Sequence, residues 1–186
     1  MVTEYGTPAS SLQNSGFLGA GGEGRARAGS VGEQKVAGIL RTALRHSPAT
    51  LLHDLRIPDA RGANIDHAVI SGRTVTLVDA KNWVGGTYWT LGGRTRRGLT
   101  ATPHVDKRTL PLAVAKLDRL FLSRGVTVKF TMPLIAVISS NGVPLRFMFA
   151  RAQEARLIPA ERLAHQSFGR KPADPAIVSI LRTLQN

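Results

Sequence analysis

The 186-residue sequence contains no cysteine. Disulfide bonds and thiolate metal sites are excluded, and a cytoplasmic location is the expectation. No apolar run approaches the roughly 18 residues that a membrane-spanning helix needs, so no membrane partner is expected. The stretch from Met1 to Gly22 has no basic start followed by an apolar segment, so it does not read as a secretory signal. Familiar catalytic signatures are missing too. There is no P-loop, no dinucleotide glycine fingerprint and no Gly-x-Ser-x-Gly elbow. The five histidines are scattered without ligand spacing, which argues against zinc. Ser, His and Asp all occur, but nothing places them as a triad. No internal repeat, heptad seam or second domain is evident.

Acidic residues are scarce. There are 12 Asp and Glu against 25 Lys and Arg, a formal net charge of +13. Most of the basic residues are arginines, whose planar fork matches phosphate. Such a surface attracts polyanions through phosphate contacts and counterion release. Ribosomal RNA, duplex DNA and an anionic membrane all satisfy the charge balance. Charge gives the sign of the partner and no more.

What is present is organised around residues 64–83, NIDHAVISGRTVTLVDAKNW. Two β-branched apolar runs flank Ser71-Gly72-Arg73-Thr74, the pattern of a β-hairpin. A loop centred between Gly72 and Arg73 pairs Ser71 with Thr74. Counting outward pairs Asp66 with Asp79. Directly opposite residues share a face, with Cβ atoms about 4.5–5.5 Å apart. Lys81 lies two residues further along that face, beside Ala68, Ile70, Val75 and Leu77. Two opposed carboxylates destabilise a sheet and lose solvation beside apolar neighbours. Lys81 offsets one charge. A divalent cation would offset both, and hard oxygen donors suit Mg²⁺ or Mn²⁺. The plainer alternative places both Asp residues at the solvated end of the hairpin, with Asp66 paired to Lys81.

The rest of the chain is read in order. Residues 1–29, rich in Gly, Ser and Ala, read as a flexible leader, and residues 30–186 as a single domain. Ser30–His46 reads as a helix, with Val36, Ile39, Leu40, Ala43 and Leu44 at helical spacing. Glu33 has two readings: the closing member of a Ser30–Glu33 capping box, or an acid on the core-facing side, one turn before the apolar stripe. Thr50–Ile57 reads as a strand in which His53 has no chemistry. His67 faces away from Asp66, so it is not read as a metal ligand; it bonds locally or packs against a neighbouring helix. Thr87–Leu91 is a short strand, and Arg94, Arg96 and Arg97 lie in a glycine-flanked basic loop suited to phosphate. Leu110 to Phe121 gives a helical stripe, and Met132–Ser139 a buried strand. A strand, helix and strand in this order suggest a crossover behind a sheet. Leu145–Phe149 is a further strand, and Glu161–His165 and Ala176–Leu184 are closing helices.

Four segments, taken together, resemble the nuclease-related domain (NERD) family, a branch of the PD-(D/E)XK nuclease superfamily. They are Gly29–Ala37 (GSVGEQKVA), Leu52–Pro58 (LHDLRIP), Ala63–His67 (ANIDH) and Val78–Gly85 (VDAKNWVG), in the family's order. The resemblance spans roughly residues 29–150. It implies an α/β, restriction-endonuclease-like core, with a mixed central sheet flanked by helices. It implies that Glu33, Asp66, Asp79 and Lys81 are catalytic. Asp66, Asp79 and the Ala80 backbone carbonyl would bind Mg²⁺ or Mn²⁺, with Glu33 doing so directly or through water. The implied activity is metal-dependent hydrolysis of DNA phosphodiesters; DNA is the expected partner ahead of RNA, and a lone core of this kind often cuts both strands as a homodimer. Arg94, Arg96, Arg97, Lys107 and Arg108 are candidates for backbone contacts. Many members carry Asn-Pro and a Gln before the second helix. This chain reads Thr102-Pro103-His104-Val105-Asp106-Lys107, and the Gln is absent. That departure keeps two alternatives in view: a nucleic-acid-binding module with little or no cleavage, and a small basic structural component of a nucleoprotein or phage particle.

Overall fold

The computed structural model describes residues 2–13, 22–60, 62–106 and 108–185. Lys107 lies outside the described residues. The elements are β1 (Thr3–Tyr5), α1 (Ser10–Gln13), α2 (Gly22–Ala43), β2 (Thr50–Arg56), β3 (Asn64–Ser71), β4 (Thr74–Trp83), β5 (Gly86–Leu91), β6 (Arg94–Arg97) and β7 (Thr100–Ala101). They continue with α3 (Thr109–Ser123), β8 (Lys129–Phe130), β9 (Leu134–Ser139), β10 (Leu145–Phe147), β11 (Arg151–Ala152), β12 (Ala155–Pro159) and α4 (Pro175–Arg182). Short 3₁₀ turns cover Pro103–Asp106 and Ala160–His165.

The main sheet runs β1-β2-β3-β4-β9-β12-β11, with β8 also on β4. β2, β3 and β4 form an antiparallel meander. β9 then pairs parallel to β4, and α3 is the crossover between them. The central strands are apolar on both faces because both are covered. Ala68, Ile70, Val75 and Leu77 pack with Leu110, Leu117 and Phe121 of α3 and with Ile177 and Leu181 of α4. Val69, Val78 and Ala80 pack on the other side with Val36, Leu40 and Leu44 of α2. This is the mixed α/β sheet expected for a restriction-endonuclease-like core. A second sheet, β10-β5-β6-β7, stands apart from the first.

Several local expectations change. α2 begins at Gly22 rather than Ser30. Gly24, Gly29 and Gly32 each cost about 1 kcal/mol relative to Ala, and they hide the first turns from a reading of propensity. Ser30 is therefore inside the helix, where it cannot cap, and the capping-box reading of Glu33 falls. At the start of the expected leader, β1 pairs in parallel with β2, Thr3 to Thr50 and Tyr5 to Leu52. Arg94–Arg97 is a strand, antiparallel to β5, not a loop. Among the described residues no helix is long and apolar enough to cross a membrane.

Candidate active site

The hairpin has the register read from its turn, from Ser71↔Thr74 to His67↔Val78. One further step sets Asp66 against Asp79. Both are buried, each 4% exposed. The Ala80 N–H donates to Asp66 Oδ2 at 2.6 Å. Lys81 Nζ lies 2.6 Å from Asp79 Oδ2 and 3.9 Å from Asp66 Oδ2. It also donates to the Ala80 carbonyl at 3.1 Å. The amine thus sits between the two acids, with its side chain 37% exposed.

Glu33 comes from α2, on the stripe that buries Val36, Ala37 and Leu40. It is itself buried, and its Oε2 has no hydrogen-bond partner among the described residues. Glu33, Asp66, Ala80 and Lys81 line a cleft of about 850 Å³, together with Asn64, Asn82, Tyr88, Arg97, Thr100, Thr102 and Ser140. Asp79 is not part of that wall and reaches it through Lys81.

The electrostatics are those of an anion-rich pocket. Burial pushes Glu33 up to about 7, and the charges of Asp54 and Asp79 add to it, while Lys81 opposes them. Burial also raises Asp66 well above the usual carboxylate range. The Asp79 charge adds to that rise, and Lys81 and the Ala80 N–H resist it. Burial works against the charge of Lys81, but Asp79 and Asp66 outweigh it and hold the amine above its ordinary range. Lys81 therefore stays protonated at neutral pH. It can donate and neutralise.

Two features of this region were not anticipated as such. The first is Asp54. The flanking pairs His53↔His67 and Leu55↔Ile65 bring its backbone level with Asp66. Asp54 has φ +54°, a left-handed conformation that Asp tolerates better than most residues. Its carboxylate accepts from the Ser10 hydroxyl, from Ser11 N–H at 2.5 Å and from Asn64 Nδ2 at 2.7 Å. The signal was the His-Asp pair interrupting the apolar run of β2. The second feature is His53, expected to have no chemistry. Its Nδ1 is 2.8 Å from His67 Nδ1, and its Nε2 is 2.6 Å from Glu4 Oε1. Glu4 in turn takes a bidentate pair from Arg41. His67 does bond locally, as expected.

The basic candidates separate. Arg97 pairs with Tyr88 across the small sheet and faces the cleft. Arg96 pairs with Trp89, and Arg94 with Leu91, so both lie on the sheet's opposite face. Arg108 immediately precedes α3, is largely exposed and pairs with Glu154 at 3.3 Å. Thr102, in the segment that lacks the Gln, is buried and donates to the Thr95 carbonyl at 2.9 Å.

The donor set suits a hard divalent ion. It is all oxygen, its carboxyls outnumber the one neighbouring amine, and one buried Glu33 oxygen has no hydrogen-bond partner among the described residues. Among the described residues, no three His, Asp or Glu side chains form a ready-made metal cluster.

The family described as nuclease-related domain (NERD) matches residues 28–121, just over half of the chain. That span holds Glu33, the whole meander and α3 as far as Phe121. No curated protein matches the chain. No solved structure matches it either.

Proposed function

The chain belongs to the nuclease-related domain (NERD) family, whose general context is the PD-(D/E)XK superfamily, and we propose that it is a Mg²⁺- or Mn²⁺-dependent endonuclease that hydrolyses DNA phosphodiesters. One observation carries this reading. Two buried, opposed carboxylates bracket a protonated lysine at a cleft that Arg97 also lines. Folding alone gives no reason to bury such a set.

Asp66, Asp79 and the Ala80 carbonyl would hold the ion, with Glu33 bound directly or through water. The bound ion would supply a water of lowered pKa and charge stabilisation at the scissile phosphate. The chain's own groups do the rest. Lys81, kept charged by its two acids, orients the attacking water or neutralises the phosphorane. Arg97 grips a phosphate oxygen from the opposite wall. Asn64 ties the cleft to the Asp54 carboxylate. Asp54, satisfied by Ser10 and Ser11, keeps its negative charge near Glu33.

A second reading is a binding module that holds nucleic acid without cutting it. The Lys81 amine lying between Asp66 and Asp79 favours it, because the amine already balances part of the charge an ion would balance. Incubation of supercoiled plasmid with the purified chain and Mg²⁺ or Mn²⁺, beside Asp79→Ala and Lys81→Ala, separates the two. Divalent-dependent nicking lost in both variants supports the enzyme. Salt-sensitive binding without nicking supports the module.

A further inference from the structure

The small sheet has a second face, turned away from the cleft. On β5 and β6, Tyr88, Thr95 and Arg97 point inward, so Trp89, Leu91, Arg94 and Arg96 point outward. Parallel pairing of Arg146 with Thr87 puts Arg146 on the outward face too, while its neighbour Phe147 packs inward against Tyr88, ring centroids 5.8 Å apart. The outer face therefore carries three arginines and a tryptophan. None of the outward residues of β5, β6 and β10 is acidic.

Two of these side chains are held in place. Trp89 Nε1 donates to the Gly98 carbonyl at 2.8 Å, and Arg96 Nη1 donates to the Leu99 carbonyl at 3.1 Å. Both acceptors belong to the turn between β6 and β7. The Arg96 guanidinium sits over the Trp89 ring, 6.0 Å from its centroid. The result is an aromatic–guanidinium stack held on the sheet face, with Arg94 and Arg146 exposed to either side. Leu99 beside it is 91% exposed.

We propose that this outer face binds single-stranded nucleic acid, with a base stacked on the Trp89–Arg96 pair and Arg94 and Arg146 on the flanking phosphates. The charge selects a polyanion. The pinned stack selects one with unpaired bases, because a base within a duplex offers no free ring face. The surface is distinct from the cleft, and its occupancy does not depend on cleavage or on a divalent ion.

The chain's two tryptophans make the test direct. Trp83 is largely buried at the cleft and Trp89 faces outward, so the quenching that disappears in Trp89→Phe reports stacking on the outer face. The full chain is titrated with an oligothymidylate strand in EDTA. Saturable, salt-sensitive quenching is expected, lost in Trp89→Phe. Arg96→Gln and Arg146→Gln should each weaken binding by about tenfold or less. Binding is read in EDTA, with no divalent ion and no cleavage, so failure of the nuclease reading leaves this result intact. Quenching that survives undiminished in Trp89→Phe overturns the proposal. A duplex of equal length that binds better, with no change in emission, overturns the single-strand assignment. The arginine variants keep the outcome readable should Trp89→Phe fold poorly.

Discussion

Arg96 and Arg97 are neighbours in sequence and lie on opposite faces of one strand: Arg97 lines the acidic cleft, whereas Arg96 is stacked on Trp89 outside it. The two should therefore dissociate in function. Arg97→Ala is expected to lower plasmid nicking by about 10- to 100-fold, the scale of one charge-assisted contact to a phosphate in the transition state. Arg96→Ala should leave the rate within about twofold. Equal losses in both variants would mean that the cleft arginine has no special role.

Asp66 is costly to the fold as well as central to the site. Its charge is buried beside Asp79, with the Lys81 amine as shared compensation. Asp66→Asn retains an acceptor for the Ala80 N–H and removes one like charge. In EDTA it should unfold at a higher temperature than the wild type, while losing all nicking. A lower unfolding temperature would show that Lys81 balances the pair fully.

A divalent ion should repair the same imbalance. Mg²⁺ or Mn²⁺ should raise the unfolding temperature of the wild type, because a ligand that binds only the folded state stabilises it. The rise should be smaller or absent in Asp79→Asn. An equal rise in that variant would place the ion elsewhere.

The buried histidine pair gives a pH dependence away from the cleft. Burial lowers His53 below its ordinary value, with Glu4 opposing, and burial lowers His67 further. Groups with depressed folded values contribute stability that is whole above the unfolded value, near 6.5. That stability is lost as pH falls through the folded values. Urea unfolding midpoints should drop between pH 7 and pH 5, and His53→Gln should flatten the change. An unaltered slope in His53→Gln would assign the loss to other groups.

Asp54 combines a strained backbone with a satisfied carboxylate. Burial alone would raise it, but the hydrogen bonds from Ser10, Asn64 and Ser11 hold it below its ordinary value. Asp54→Ala loses those bonds and leaves at φ +54° a residue that tolerates the left-handed region less well than Asp. A cost of about 2–4 kcal/mol is expected by chemical denaturation. Asp54→Asn, which tolerates that conformation, should cost distinctly less. Equal costs would make the conformation irrelevant.

The hairpin was legible because its turn fixes a register, and a register fixes faces. Asp66, Asp79 and Lys81 followed from counting. Glu33 was half legible. Its side of the helix could be read from Val36, Ala37 and Leu40, but the helix start could not, because glycines mask the first turns of α2. Arg94–Arg97 was misread as a loop. A strand of three arginines and a threonine has no apolar alternation to betray it, and it is a strand only because β5 and β7 pair with it. Asp54 was hidden for a different reason. Its role arises from a local backbone reversal and from partners more than 40 residues away in sequence.

The most direct test is the rate of supercoiled-plasmid nicking as a function of Mn²⁺ concentration, with enzyme in excess, for the wild type and Asp79→Asn. The expected result is saturable nicking that EDTA abolishes, at least about 100-fold slower in Asp79→Asn. Nicking that needs no divalent ion, or proceeds equally fast in Asp79→Asn, would contradict a metal-dependent site built on Asp66 and Asp79.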